Sequence, residues 1–125
     1  MPMKIIAAFA LVMLTSTAAY AECSGSNGRG WGSGKGDGKF EMTAADKRCQ
    51  ISFPNFIDDV KKTKIAASDM KLTRGPKNGQ ISLSKIGPIY TPNPGFQGED
   101  KFCTKNTSAE VKGKTLAGCV TVSVK

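Results

Sequence analysis

The 125-residue chain contains no histidine, only one tryptophan and two tyrosines, and far fewer acidic residues (10) than basic ones (18). Histidine is the side chain that most often serves as a general acid or base near neutral pH, so its absence removes the commonest catalytic group. The sequence also lacks a Gly-x-Ser-x-Gly motif and carboxylate pairs at a catalytic spacing. We therefore predict that the protein is not an enzyme.

Metal and phosphate sites lack their usual patterns as well. The four cysteines are widely separated and form no Cys-x-x-Cys pair, so zinc ligation is not expected. Acidic residues occur as the adjacent pairs Asp58-Asp59 and Glu99-Asp100, whereas a calcium loop spaces its oxygen ligands. Glycines alternate over residues 28–38 without a strand before them or a helix after them, which argues against a phosphate loop. The sequence predicts no metal and no small-molecule cofactor.

The N-terminus has an apolar run that is too short to span a membrane. Lys4 precedes about ten apolar residues at positions 5–14, and Ala19-Tyr20-Ala21 follows a short polar stretch. A membrane-spanning helix needs roughly twenty apolar residues. We predict a signal peptide over 1–21, cleaved after Ala21, and a mature chain that is periplasmic or secreted without an integral membrane segment. Loss of Lys4 lowers the formal net charge of +8 by one.

Residues 22–39 are rich in glycine and are predicted to form a flexible arm, because ordering so many glycines costs backbone entropy. The arm carries Arg29, Trp31, Lys35 and Lys39 as candidate binding residues. An exposed Trp31 indole flanked by cations would stack on a sugar or a base while the cations hold acidic groups. The alternative is that Trp31 folds back and covers an edge of the domain.

Residues 40–125 show the period-2 alternation of strands. Strands are predicted at 40–42, 49–53, 63–67, 70–73, 80–84, 86–91, 100–105 and 118–124, with an Asn-Gly turn within 75–79. Residues 56–62 are long enough for one helical turn. Short strands, Gly/Pro turns and the lack of a long helical pattern predict an all-β, antiparallel β-sandwich over 40–125.

All four cysteines lie in the predicted mature chain, and an even number in an exported protein indicates two disulfides. If Phe102 and Val120 face the core, Cys103 and Cys119 face outward on consecutive antiparallel strands. This parity favours a Cys103–Cys119 bridge and leaves Cys49 to pair with Cys23. The alternative is a core bridge between Cys49 and Cys103, which would turn Phe102 outward.

Four segments resemble bacterial Ig-like modules of the cadherin-like tandem-repeat type. They are Pro-Lys-Asn-Gly-Gln-Ile at 76–81, Tyr-Thr-Pro-Asn at 90–93, Gly-Phe-Gln-Gly-Glu-Asp-Lys-Phe at 95–102 and Val-Thr-Val at 120–122. The resemblance spans roughly 65–124 and implies an Ig-like sandwich used for adhesion, spacing or ligand display, with no catalytic residues. The chain departs from the pattern in having one module, added cysteines, and Thr104 where the family often has an aromatic residue.

The chemistry of the motif supports a folded turn independently of the resemblance. Pro92 and Pro94 restrict φ and cannot donate to a ladder, so they suit a crossover between sheets. Asp100 is placed to accept backbone N–H groups across the turn, and Tyr90 and Phe102 are expected to be buried.

The leading functional prediction is a small exported Ig-like binding or adhesion module that contacts a protein or an envelope polysaccharide without catalysing a reaction. The alternative is a cationic binder of acidic polysaccharide or nucleic acid. That alternative uses the glycine-rich arm together with a cluster of three lysines, Lys61, Lys62 and Lys64.

Overall fold

The computed structural model describes residues 23–125, so the predicted signal peptide lies outside the described residues. The ten strands are β1 (Ser24–Ser26), β2 (Gly36–Met42), β3 (Cys49–Gln50), β4 (Asn55–Asp58), β5 (Thr63–Ala66), β6 (Asp69–Arg74), β7 (Gly79–Leu83), β8 (Pro88–Pro92), β9 (Gly98–Thr107) and β10 (Leu116–Val124). A single 3-10 turn, Trp31–Ser33, is the one helical element within residues 23–125.

The strands form an all-β sandwich, as predicted. A five-stranded sheet has the order β1-β2-β10-β9-β6, and a three-stranded sheet has the order β3-β8-β7. Between β3 and β6 the chain adds a separate hairpin of β4 and β5. The β7–β8 hairpin and the antiparallel pair β9–β10 lie where the alternation predicted them.

The prediction of a purely antiparallel sandwich is wrong at one position. Strand β2 runs parallel to β10, with Phe40 opposite Val122. Parallel neighbours need a long connection between them. Here almost the whole domain separates β2 from β10, so no local pattern reveals their pairing.

The prediction of a flexible arm over 22–39 is also wrong for its described residues. Strand β2 begins at Gly36 and is hydrogen-bonded to β1 on one side and β10 on the other. A Cβ atom on Gly38 would lie 3.1 Å from the Val120 side chain, so the glycine permits close packing. Pairing along both edges offsets the entropy that glycine loses on folding.

The core lies between the two sheets and confirms the predicted alternation. Every second residue of β2 and β10 is buried, including Phe40, Val120 and Val122. Tyr90 and Phe102 are fully buried, and Ile51 and Phe53 join them from the segment that begins with β3. Each side chain of this size contributes about 1.5–3 kcal/mol when buried.

Both preferred disulfides are present. Cys103 and Cys119 lie directly opposite each other on β9 and β10, and their bridge staples the outer face of the larger sheet. Cys23, just before β1, is bonded to Cys49 in β3 and so connects the two sheets. The predicted parity of Phe102 and Val120 is therefore correct, since both are buried.

One corner of the sandwich is closed around a buried carboxylate. Asp100 is 4% exposed and accepts hydrogen bonds from the backbone N–H groups of Lys77 and Asn78, each 2.9 Å long. The Tyr90 hydroxyl donates a third bond of 2.8 Å, and the N–H of Lys101 donates a fourth. We call this cluster the Asp100 corner. It confirms that Asp100 accepts backbone N–H groups, but those of Lys77 and Asn78 belong to the β6–β7 connection and not to the turn at Pro92 and Pro94.

Candidate binding groove

The described residues form an open groove of about 1180 Å³, referred to below as the binding groove. Three segments line it: residues 27–32 of the glycine-rich region, residues 54–65 around the β4–β5 hairpin, and residues 110–116 before β10. It lies beyond the C-terminal end of β9, whereas the Asp100 corner lies near the start of that strand.

Trp31 lies at the base of the groove and is largely covered. Its side chain is 5% exposed, and its indole N–H donates a 2.6 Å hydrogen bond to the carbonyl of Asn27. Gly30 and Gly34 bracket the 3-10 turn with φ values of 91° and 82°, which favour glycine. The indole packs directly over Gly36, where any Cβ atom would overlap its ring.

The prediction of an exposed Trp31 that stacks on a ligand is therefore wrong, and the alternative of a tryptophan that folds back is correct. The physical reason is the bare backbone at Gly36, which leaves space for the indole against the larger sheet. The glycine spacing places an aromatic side chain in the core and does not form a phosphate loop.

The second wall is the β4–β5 hairpin, where the sequence predicted a helical turn. Residues Asn55–Asp58 pair with Thr63–Ala66, so this region is extended. Asp58 Oδ1 accepts the backbone N–H groups of Val60 and Lys61 at 3.0 Å each, which stabilises the connecting turn. Ile57 and Val60 are exposed, Val60 to 91%. The hairpin therefore presents exposed apolar side chains, of which Ile57 lines the groove.

The third wall is the connection between β9 and β10. Ser108 is buried and holds the start of this loop through two bonds of 3.1 Å, accepted from the N–H groups of Glu110 and Val111. Asn106 donates from Nδ2 to the Leu116 carbonyl at 3.1 Å and so ties the loop's two ends together. Val111 packs partly against the core and also lines the groove.

The charges that line the groove are balanced. Three basic side chains and three acidic side chains contribute to it: Arg29, Lys61 and Lys114, and Asp58, Asp59 and Glu110. Ile57, Ile65 and Val111 contribute apolar surface to the same groove. Such a mixture suits a partner with both polar and apolar groups better than it suits a uniformly anionic polymer.

The predicted site residues divide into two groups. Arg29, Trp31 and Lys61 line the groove. Lys62 lies in the hairpin turn with a φ of 53°, and Lys64 is opposite Ile57 on β5. Lys35 precedes β2, and Lys39 lies on β2 opposite Ser26 and Thr121. The seven candidates therefore do not form one site.

Several groove residues were not predicted from the sequence. Glu110, Val111 and Lys114 belong to a loop with neither strand alternation nor a binding motif. Ile57 lies in residues 56–62, a segment long enough for one helical turn, and its extended conformation is not evident from the sequence. The one available signal was the acidic pair Asp58-Asp59 directly after Ile57, because aspartate is unfavourable in a helix interior and favours turns.

Burial and the hydrogen bond to Asp100 raise the pKa of the Tyr90 hydroxyl far above its ordinary value. Tyr90 therefore stays neutral throughout the physiological range and acts as a donor in the Asp100 corner.

Residues 23–125 contain no cluster of three or more His, Cys, Asp or Glu side chains suited to a metal ion. No helix in the same part of the chain is long and apolar enough to cross a membrane.

No protein-family model matches the chain, and no curated protein and no solved structure is significantly similar to it.

Proposed function

We propose that the protein is a small exported, non-catalytic Ig-like binding module that contacts a protein partner of the envelope or extracellular space through the binding groove. The observation that carries the proposal is the groove itself, a large open concavity lined by apolar side chains and by charges of both signs. Loops held on a rigid sheet commonly carry binding sites.

The strand order supports the Ig-like part of the proposal. We count β2 as the first strand and treat the β4–β5 hairpin as an insertion. Strands β3, β7 and β8 are then the second, fourth and fifth strands, and they share one sheet. Strands β6, β9 and β10 are the third, sixth and seventh, and they share the other sheet with β2. Ig constant-type domains divide their strands in a closely related way. The Asp100 corner lies within the segments that resemble the cadherin-like family.

Export is supported by the two disulfides, which persist in oxidising compartments. The N-terminal pattern with Ala19-Tyr20-Ala21 supports the same conclusion. Mass spectrometry of the protein purified from fractionated cells tests it. A periplasmic or extracellular chain that begins at Glu22 is expected, and a cytoplasmic chain that retains Met1 would contradict it.

The binding function is tested by capturing partners from the envelope of the source cells with the oxidised protein, washed at low and at high salt. We expect one discrete protein to survive high salt, because a packed interface with apolar contacts depends weakly on ionic strength. Ile57→Lys places a charge in the groove and is expected to abolish this capture. Ile86→Lys makes the same change at an exposed isoleucine outside the groove, and it should leave capture intact.

Capture that is equal for wild type and Ile57→Lys would refute the groove as the site. Complete loss of bound protein at high salt would favour a different function, described next.

That second candidate, a cationic binder of acidic polysaccharide or nucleic acid, is favoured by one observation. Lys61, Lys62 and Lys64 are exposed, and none of them takes part in the one ion pair formed within residues 23–125, Lys125–Glu41. Such a binder loses affinity steeply with salt as counterions are released.

Changing these three lysines to glutamine should then weaken retention on an acidic polysaccharide and flatten its salt dependence. The matched control changes three exposed lysines of the larger sheet, Lys71, Lys101 and Lys105, and removes the same charge. Equal effects of the two triple variants would indicate non-specific attraction only.

A further inference from the structure

The four outer strands of the two sheets differ in how their free edges are protected. In the larger sheet, β1 has only three residues, and β6 carries Asp69, Lys71 and Arg74 together with a bulge after Leu72. In the smaller sheet, β3 has only two residues. Short strands, charges and bulges are the common means of preventing unwanted pairing at an edge.

Strand β7 has none of these protections. It contains five residues, Gly-Gln-Ile-Ser-Leu, without charge, proline or a register shift. It pairs with β8 on one side and with no strand on the other. Within residues 23–125 it is the one outer strand of either sheet that is both longer than three residues and uncharged.

The hydrogen-bond pattern shows which backbone groups of β7 are free. The Asn93 N–H donates to the Asn78 carbonyl at 2.8 Å, and the Ser84 N–H donates to the Gly87 carbonyl at 3.0 Å. Antiparallel strands alternate between bonded and non-bonded residues, so Gln80 and Ser82 also bond to β8. The N–H and C=O groups of Gly79, Ile81 and Leu83 therefore point away from β8, toward the free edge.

Apolar side chains lie beside these free groups, and an exposed lysine lies just beyond each end of the strand. Leu83 is 50% exposed, and Ile81 is only partly buried. Strands β6 and β7 are joined by only four residues, 75–78, so they form edges on the same side of the sandwich. Lys77 and Lys85 are exposed just outside β7.

We infer that the free edge of β7 binds an extended segment of another protein by strand addition, and that this segment has apolar residues at alternate positions and acidic residues near its ends. Main-chain hydrogen bonds to Gly79, Ile81 and Leu83 would provide affinity. Alternate side chains would cover Ile81 and Leu83, and the acidic ends would meet Lys77 and Lys85. This surface shares no residue with the binding groove, so the inference does not depend on the proposed function.

Charge also argues against a second copy of this chain as the occupant. A two-fold antiparallel pairing that uses all five residues of β7 centres on Ile81 and places Lys77 opposite Lys85 of the other copy. Like charges directly opposite each other destabilise a sheet. The net charge of +8 adds repulsion between the copies.

Amide hydrogen exchange, measured by NMR on the oxidised protein, tests the inference. In the free protein, Gln80 and Ser82 should exchange slowly, and Ile81 and Leu83 should exchange fast. The probe is a short synthetic peptide with valine at alternate positions, threonine between them and aspartate at both ends. We expect it to slow exchange at Ile81 and Leu83 by at least about tenfold. The same peptide with lysine at both ends should have little effect.

Two variants separate this surface from the groove. Leu83→Lys should abolish the peptide effect, whereas Ile57→Lys, which disrupts the groove, should leave it unchanged. Slow exchange at Gln80 and Ser82 serves as the internal control that β7 remains paired with β8 in each variant.

Three results would overturn the inference. One is the absence of any slowing by the aspartate-ended peptide. Another is slow exchange of Ile81 and Leu83 in the free protein at every concentration. The third is slowing that rises with protein concentration without peptide, which would instead identify a second copy as the occupant.

Discussion

The two ends of β9 differ in what surrounds them. Near its start, Asp100 is buried with four hydrogen-bond donors, and Tyr90 is fully covered. Beyond its other end, the binding groove is open, and Ile57 is exposed on its hairpin wall. The first end is closed by hydrogen bonds to a buried carboxylate, whereas the second leaves apolar and charged side chains exposed.

If the proposed function is correct, the residues that stabilise the fold and those that bind a partner lie at opposite ends of β9. A buried carboxylate with all its donors present is costly to disturb, because its partners would lose their hydrogen bonds without gaining water. Exposed apolar and charged side chains in an open groove contribute little to folding. Substitutions near Asp100 should therefore change stability, and substitutions in the groove should change binding.

The largest effect is expected for Asp100→Ala. The substitution leaves the N–H groups of Lys77 and Asn78 and the Tyr90 hydroxyl without their acceptor, and should lower the free energy of unfolding by about 3–5 kcal/mol. Urea denaturation of the oxidised protein measures the change. Asp59→Ala, at the groove, is the matched control and should stay within about 0.5 kcal/mol of wild type. Similar losses for both would remove the distinction between the two ends.

The Cys23–Cys49 disulfide is expected to give the next largest effect. Cys49 lies opposite Tyr90, so this bridge reinforces the same end of the sandwich as the Asp100 corner. Replacing both cysteines by alanine should lower the free energy of unfolding by about 2–4 kcal/mol, because the unfolded chain is no longer closed into a loop and regains conformational entropy. The midpoint of urea unfolding reports the loss. A stability within about 0.5 kcal/mol of wild type would contradict it.

A smaller effect is expected at the base of the groove from Gly36→Ala. The new Cβ atom would overlap the Trp31 ring, and such overpacking costs about 1–3 kcal/mol. Trp31 is the single tryptophan, so a red shift of its fluorescence would report its displacement. Gly32→Ala is the control, since no atom lies within 4 Å of its added Cβ. An unshifted spectrum with unchanged stability in Gly36→Ala would disprove the close packing.

The smallest effect concerns alkaline pH. The pKa of Tyr90 is raised in the folded state, so its contribution to stability is complete below the unfolded value of about 10 and declines as the pH rises above it. Between neutral pH and about pH 11, the free energy of unfolding of wild type should fall by about 1 kcal/mol more than that of Tyr90→Phe, which has no phenol to ionise. Parallel pH profiles of unfolding for the two proteins would contradict the burial of a neutral Tyr90.

The sequence predicted both disulfides and the role of Asp100 as an acceptor, since strand alternation and residue type indicate them. Period-2 alternation around Phe102 and Val120 determined the orientation of Cys103 and Cys119, and their pairing followed. The donors Lys77 and Asn78 were not predicted, because they lie 23 and 22 positions before Asp100 in a different turn.

The glycine-rich segment was predicted poorly because its structure depends on distant residues. Strand β2 is stabilised by β10, which lies some 80 positions later, and Trp31 is buried because Gly36 leaves space beneath it. The composition of this segment indicates how much backbone entropy its glycines lose on folding. It does not indicate that pairing with β10 offsets this loss. The groove was missed for the same reason, since its three walls come from separate parts of the chain.

The most direct test measures amide hydrogen exchange across the chain with and without the protein captured at high salt. The proposed function predicts slower exchange in residues 55–65 and 110–116, with residues 98–102 unchanged. Protection that spares the groove and appears elsewhere would contradict it. If that protection falls on Ile81 and Leu83 alone, the free edge of β7, and not the groove, is the surface that binds the partner.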